Sequence, residues 1–505
     1  MAIIAPSSKI KIMKDVPFND TYKYTTKFAS ESAQITYFSS KVKFKVDDCM
    51  YLRKEQVIRV PYVADDLLDC NYIAFQNTGY GRKWFYAFIT NVEYVNDGAS
   101  NISYKLDVMQ TWQFDYEVKP SFVEREHPSI DTIGSNTIPE NLETGEYTYT
   151  DLGISSLFNL YQIVVASTFD ESFNSSTGGM YGGVYSGLTY NVFSTFSDCN
   201  EFLEQATTRN LSDGIVSIFM LPIAFCYDYQ QTLPDSFVLD RDKQHTHING
   251  YVPRNKKLFT YPYNMLYVTN NEGLSANYPF EFFSSNNCTF QVTGAMCATP
   301  EVMMTPLNYK GCSKNYNESL TVGNFPQCAY NIDTFKAFIA QNAMKLTVGA
   351  VTDIGKVVGG GAMAYATGGM MGGEMAVQGG MSILNTLATV YDKSTLPPQS
   401  RGGHSSIINM ANEIKGFQFY YCQIRAEYAR IIDEYFDVYG YATHRVKVPN
   451  INTRPYWNYV KTIDVTIVGS VPSDDLETIR RVYDSGVTFW KNPNQIGDYT
   501  LNNSI

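Results

Sequence analysis

The chain has 505 residues, enough for about two to four domains with several buried cores. Its 39 tyrosines and 30 phenylalanines, against only 18% charged residues, suit a β-rich protein with large buried surfaces. A formal charge of −11 excludes tight nucleic-acid binding, which works by neutralising phosphates, but not a wall past which DNA slides.

Nine cysteines at irregular spacing, with no CxxC, indicate neither a zinc site nor a disulfide framework, so reduced thiols are expected. The N-terminal residues hold too short an apolar run for a secretory signal.

Taken in order, residues 35–38, 42–46, 56–60 and 72–75 alternate or are β-branched and predict strands. Residues 84–89 lead through a turn at Asn96-Asp97-Gly98 to a cleanly alternating strand over 102–108, and the two pair as a hairpin. This region reads as an antiparallel β domain with one wet face. Between 128 and 300 the pattern is less regular. Glycines around 178–187 mark loops, residues 193–208 predict a helix, and 215–220 and 265–268 predict buried strands. Residues 240–244 read as a solvated charge cluster. Asp333 is placed to cap a helix over 335–342.

Residues 346–391 are unlike the rest. They hold eleven glycines, five methionines and only three formal charges, Asp353, Lys356 and Glu374, and the 17 residues from 357 to 373 carry none. Gly, Ala, Met and Thr fill it instead of Leu, Ile and Phe, so ordering costs backbone entropy and gains little packing. Such a segment waits for a second environment, and lipid is the obvious one. A membrane-spanning helix needs about 20 apolar residues, and each glycine lowers helix propensity by about 1 kcal/mol against Ala. The pairs Gly355/Gly359, Gly368/Gly372 and Gly369/Gly373 have small-xxx-small spacing, which favours insertion of several copies together. A flexible glycine-rich linker is the alternative, though ordinary linkers use Ser and charged residues rather than Met, Val and Ile. The candidate membrane-insertion residues are Leu346, Val348, Val351, Ile354, Val357, Val358, Gly360, Met363, Tyr365, Met370, Met371, Met375, Val377, Met381, Ile383, Leu384 and Leu387.

Pro397-Pro398 ends the stretch. Beyond it, Ile424, Tyr428, Ile431, Ile432 and Tyr435 fall on one helical face, with Arg430 and Glu434 on another. Residues 465–468 predict a strand, and Asp474 with Glu477 resembles a capping box opening a helix through Tyr483 that stops near Gly486.

A search for chemistry finds no nucleophile elbow, zincin, P-loop or dinucleotide motif. His245 and His247 share a strand face but have no recognisable third metal ligand, so a polar turn is expected and no metal. Glu126 and His127 would make an acid/base pair, but spacing alone specifies nothing, and a surface ion-pair cluster over 124–127 at a subunit seam is the expectation. The tyrosines at 420–421 and 435–441 read as core and interface packing rather than a sugar platform. No catalytic residue and no cofactor are assigned.

The blocks DVPFNDTYKYTTKF (15–28), CNYIAFQN (70–77), KWFYAFIT (83–90), LDVMQTWQFDYEVKPSFVEREH (106–127), IPENLETGEY (138–147), NKKLFTYPYN (255–264) and STLPPQSRGGHSS (394–406) are spread along most of the chain. They resemble the major tail protein family, the tail knob or distal tail tube, of small short-tailed phages of Gram-positive hosts (picovirus type). The resemblance implies a structural virion protein in the distal tail, a homo-hexamer meeting other tail proteins, assembled in the host cytoplasm. Phage DNA would pass through its lumen without specific binding. The apolar stretch would plug that tube and then enter the host membrane for genome ejection. The fold expected is mainly β with α additions (α+β): an antiparallel tube-forming domain in a closed ring, an outer domain and the long apolar loop. Residues 1–130 and 401–505 would build the tube domain, 131–320 an outer or inserted domain, and 321–400 the loop with its flanking helix. A tail-associated cell-wall hydrolase and a receptor-binding adhesin are the alternatives.

Overall fold

The computed structural model describes residues 8–49, 51–52, 55–77, 81–154, 161–169, 177–181, 184–222, 225–226, 236–295, 300–328, 400–401 and 415–503. The chain is mainly β with α additions, and among the described residues its sheets are antiparallel apart from one short parallel pairing. It divides into two compact units, Met1–Gly145 with Gly250–Leu258 and Ala426–Ile505, and Glu146–Asn249 with Phe259–Arg425.

In the first unit a seven-stranded sheet runs in the order Val42–Cys49, Ser8–Lys14, Cys70–Asn77, Trp84–Asn96, Ala99–Leu106, Val57–Val60, Tyr51–Leu52. Alternation explains the strands: in Ser8–Lys14, Ile10 and Ile12 are buried while Lys9 and Lys14 are exposed. The two outermost strands are nearly consecutive in the chain, so the sheet curls until its edges approach. Phe44 and Tyr62 close that gap with rings 4.3 Å apart, and Tyr62 Oη donates to Lys45 O at 3.0 Å. The expected hairpin turn is present, with Asn96 Oδ1 accepting from Gly98 N at 2.9 Å. Its second strand ends at Leu106 rather than 108, because Asp107 accepts from Met109 N and Gln110 N and caps the short helix Val108–Thr111.

Residues 35–38 are not a strand. They lie in the helix Glu31–Ser40, capped by Ser30 Oγ, which accepts from Ala33 N at 3.2 Å. Gln34 and Phe38, four residues apart, are the buried face. Gln34 donates to Gln110 at 2.9 Å, and the Phe38 ring lies 4.5 Å from that of Tyr86. A cap and a fitted slot override the β propensity of Ile, Thr and Tyr here.

A five-stranded sheet completes this unit in the order Tyr24–Thr26, Val487–Trp490, Trp457–Ile463, Ser121–Glu126, Tyr441–Lys447. The expected helix before Gly486 is Ser473–Ser485, but it starts after Pro472 with no side-chain cap, so the capping box is absent. Asp475 serves instead as acceptor for Trp112 Nε1 at 2.9 Å. Of residues 465–468 only the end is paired, in the strand Ile467–Gly469 against Tyr116–Val118.

The predicted apolar face at 424–435 is out of phase. Ile424 ends the strand Gln418–Ile424, and the helix is Ala426–Tyr439. Ile431 is 62% exposed, whereas Ala429, Ile432, Asp433, Phe436 and Asp437 are buried. Two carboxylates occupy core positions because partners far away in sequence satisfy them. Asp433 accepts from Asn255 N at 3.0 Å, Arg254 N at 2.9 Å and Tyr251 Oη at 2.7 Å. The helix ends at Gly440, with φ 62, where any Cβ would strike the carbonyl of Glu126.

Among the described residues the second unit holds three antiparallel sheets around one apolar core. One orders Tyr147–Ile154, Gln418–Ile424, Asn264–Thr269 and Ser275–Pro279. Another orders Thr177–Tyr181, Val184–Phe193, Tyr161–Ser167, Ile215–Pro222, Gln327–Cys328 and Ser400–Arg401. The third joins Ser236–Asp242, Asn287–Ala295, Glu301–Tyr309 and Cys312–Lys314, with Leu320–Val322 also paired to Glu301–Tyr309. The helix expected over 193–208 begins at Phe196, where Thr195 caps it, and buries Phe196, Cys199, Phe202, Leu203 and Ala206. The charge cluster at 240–244 is only partly solvated. The Arg241 guanidinium lies 4.4 Å over the Phe419 ring, and Lys243 Nζ donates to Phe283 O at 2.7 Å. Among the described residues no helix is long and apolar enough to cross a membrane.

Candidate functional site

All seventeen candidate membrane-insertion residues, Leu346 through Leu387, lie outside the described residues, as do Asp333 and the helix expected over 335–342. What is described is the place where the chain leaves for that stretch and returns. Gln327–Cys328 and Ser400–Arg401 pair antiparallel at the edge of the six-stranded sheet, with Cys328 opposite Ser400. The two stems are therefore neighbours.

A second tie lies close in sequence to both stems. Lys415 is fully buried, and its ammonium donates to Gly323 O at 2.8 Å and to the Glu272 carboxylate. Glu272 in turn accepts from Gly323 N at 3.3 Å, and the Phe325 ring lies 4.7 Å from the ammonium. Burial pushes the Lys415 pKa down, and Glu272 opposes this. The chain before the stretch and the chain after it are thus joined through one buried cation. Sequence reasoning missed this pair, because 143 residues separate its members.

The cluster at 124–127 is mostly interior rather than on the surface: Arg125 is 9%, Glu126 1% and His127 0% exposed. Glu126 and His127 do not form an acid/base pair, because each is held by partners of its own. Glu126 accepts from Asn450 N at 2.9 Å and pairs with Lys447. His127 Nδ1 accepts from Tyr459 N at 2.7 Å, so Nε2 carries the proton and donates toward the carbonyls of Phe436 and Asp437 at 3.2 and 3.1 Å. Burial, reinforced by the nearby Arg454 guanidinium, holds its pKa well below the usual histidine range. Arg125 binds Glu140 at 2.7 Å and Gly440 O at 2.8 Å, and Glu124 pairs with Lys461 at 2.8 Å.

His245 and His247 do not converge on a shared ligand. The His245 ring sits edge-on to Phe259 and Phe280, at 6.4 and 6.0 Å, and His247 Nδ1 lies 3.4 Å from Thr246 Oγ1. Among the described residues no group of three or more His, Cys, Asp or Glu side chains is placed to hold a metal. Tyr420 belongs to an aromatic cluster with Tyr149 and Tyr267, and Tyr421 Oη donates to Asp242 O at 2.9 Å.

Residues 227–504 match the family profile of the Bacillus phage phi29 tail knob protein gp9, C-terminal domain. The chain belongs to the tail knob protein family. Residues 6–117 also match the N-terminus of the caudoviral major tail protein. The tail knob protein gp9 of Bacillus phage B103 is 28% identical, covering 98% of both chains. That of Bacillus phage phi29 is 26% identical, over 99% of this chain and 98% of its own. Among solved structures, the tail knob protein gp12 of bacteriophage C1 shares the fold, with a TM-score of 0.65 at 16% identity over 99% of this chain and 100% of that one. A tail knob protein is a structural part of the virion's tail, and these relatives carry structural names rather than enzymatic ones.

Proposed function

We propose that copies of this tail knob protein, six as the family resemblance implies, close into a ring whose β-lined lumen passes the phage genome. Residues 346–391 plug that lumen and, on ejection, enter the host membrane together to open a path. One observation carries this reading: an almost uncharged, glycine- and methionine-rich stretch interrupts a chain that otherwise builds well-filled cores. The neighbouring stems support it, because a segment tethered at both ends to adjacent strands moves without unfolding its host sheet. Copy number matters, since one weakly apolar segment binds lipid marginally while several tethered together gain by effective concentration. A closed ring also leaves no sheet edge free to aggregate. The net charge of −11 keeps the lumen from holding DNA. Contacts with other tail proteins and assembly in the host cytoplasm belong to the same reading, with residues 1–130 and 401–505 as tube, 131–320 as outer part and 321–400 as plug.

Dye release from liposomes tests the membrane step. Full-length protein is expected to release dye, and protein lacking residues 346–391 is not. Equal release from both, or none from either at neutral and acidic pH, contradicts the proposal. The hydrolase alternative gains nothing from Glu126 and His127, whose polar atoms are already engaged by structural partners.

A further inference from the structure

A cavity of about 490 Å³ opens in the first unit, lined from the Ser121–Glu126, Tyr441–Lys447 and Trp457–Ile463 strands and the end of the Ala426–Tyr439 helix. Two sheet irregularities meet on its wall. Val123 pairs with Arg445 and Arg125 with Ala442, so the single residue Glu124 faces two, Thr443 and His444. Toward the other neighbour, Val123 pairs with Thr462 and Arg125 with Lys461, leaving Glu124 as the extra residue. Bulges of this kind re-aim side chains beside sites. His444 and Asn141, both lining the cavity, hold left-handed backbones, with φ of 44 and 53.

The lining has a definite chemistry. Tyr435 and Tyr439, one helical turn apart, place their rings 4.9 Å from each other, and Tyr439 is 36% exposed. Among the described residues the hydroxyls of both tyrosines, the Asn141 amide and the His444 imidazole make no hydrogen bond, so donors and acceptors are open around two aromatic rings. The charges cancel: Glu124 is paired with Lys461 and Glu140 with Arg125. A phosphate-bearing polymer would need uncompensated cations, and none is offered. Glu140 is fully occupied by Arg125, Lys257 and Ala442 N, so it is not free to act as the acid or base that bond cleavage requires. The Arg125 guanidinium lies 4.8 Å from the centre of the Tyr435 ring, so the partly exposed Tyr439 ring is the apolar surface on offer. An aromatic face among open hydrogen-bonding groups and mutually paired charges matches a pyranose, which presents C–H faces and hydroxyl edges.

We infer that this cavity binds a neutral saccharide of one or two sugar residues and does not cleave it. This goes beyond passage of the genome: it gives the knob a hold on glycan at the surface the tail meets. It is independent of residues 346–391.

Saturation-transfer NMR and calorimetry on the full-length protein test it, with N,N′-diacetylchitobiose, cellobiose and glycerol 3-phosphate as probes. At least one neutral disaccharide is expected to bind saturably with a Kd of about 1 mM, weakened about tenfold or more by Tyr439→Ala and by Glu124→Gln. Tyr439→Phe keeps the ring and holds affinity within about threefold, and Tyr420→Ala in the second unit leaves it unchanged. Thermal melts matched to the parent show that each variant is folded. Binding of glycerol 3-phosphate alone, equal binding by Tyr439→Ala, or no disaccharide binding at about 10 mM overturns the inference. If the cavity instead receives a segment from a second copy, the free protein binds the disaccharide and the assembled ring does not, which contradicts a glycan role in the virion.

Discussion

Single residues decide whether the apolar stretch serves a membrane or merely spans a gap. A carboxylate in hydrocarbon costs about 2.5 to 3.5 kcal/mol on insertion scales, repeated for every copy in the proposed ring. Gly360→Asp and Met370→Asp are therefore expected to leave assembly intact and abolish dye release from liposomes. A linker role predicts no change. His127 gives a pH prediction of a different kind. Its folded pKa is held below the unfolded value of 6.5, so the unfolded chain takes up a proton that the folded one refuses. Its contribution to stability is present above the unfolded pKa and is lost by about 1.4 kcal/mol per pH unit as pH falls below it. In denaturant titrations the advantage of the parent over His127→Gln should shrink at that rate from about pH 6.5 downward. A pH-independent gap contradicts the neutral assignment. Asp107 acts in the opposite sense: burial pushes its carboxyl up to about 7, so its contribution is lost as pH rises from 3.8 toward that value. It is common to both proteins and cancels in the difference.

At the scale of elements, the Ala426–Tyr439 helix shows what hydrophobic periodicity reads and what it does not. The helix itself is legible, but its face is not, because Asp433 and Asp437 lie inward and Ile431 outward. The partners that make burial of the carboxylates tolerable, Tyr251, Arg254 and Asn255, come from a segment 178 or more residues away. Ile431→Ala should change stability by about 0.5 kcal/mol or less, as an exposed substitution does. Asp433→Ala leaves several buried donors without an acceptor and should cost about 2 kcal/mol or more. Chemical denaturation of both variants checks the ranking, and the reverse order would restore the predicted apolar face. The Glu31–Ser40 helix teaches the same lesson from the other side. Residues 35–38 look like a strand until the Ser30 cap and the Gln34–Gln110 contact are seen. Where alternation is plain, as in Val57–Val60 within the expected strand 56–60, or a turn is explicit, as at Asn96-Asp97-Gly98, the sequence reading and the structure agree.

For the whole molecule, the β-rich class and the family were legible because the matching blocks are long and spread along the chain. Both units are discontinuous in sequence, and periodicity has no access to that. The interior cluster at 124–127 and the Lys415–Glu272 tie were hidden for the same reason: their partners are distant in sequence. The composition of 346–391 stood out at once, since too little bulk and too little charge are visible in any window. Its stems at Gln327–Cys328 and Ser400–Arg401 then supply a fixed base from which such a segment could work. The most direct test of that account is electron cryo-microscopy of the assembled protein, alone and after addition to liposomes. Density for residues 346–391 is expected inside the lumen of a ring in the first sample and across the bilayer in the second. A ringless subunit with the same residues packed in its own interior, unchanged by lipid, contradicts it.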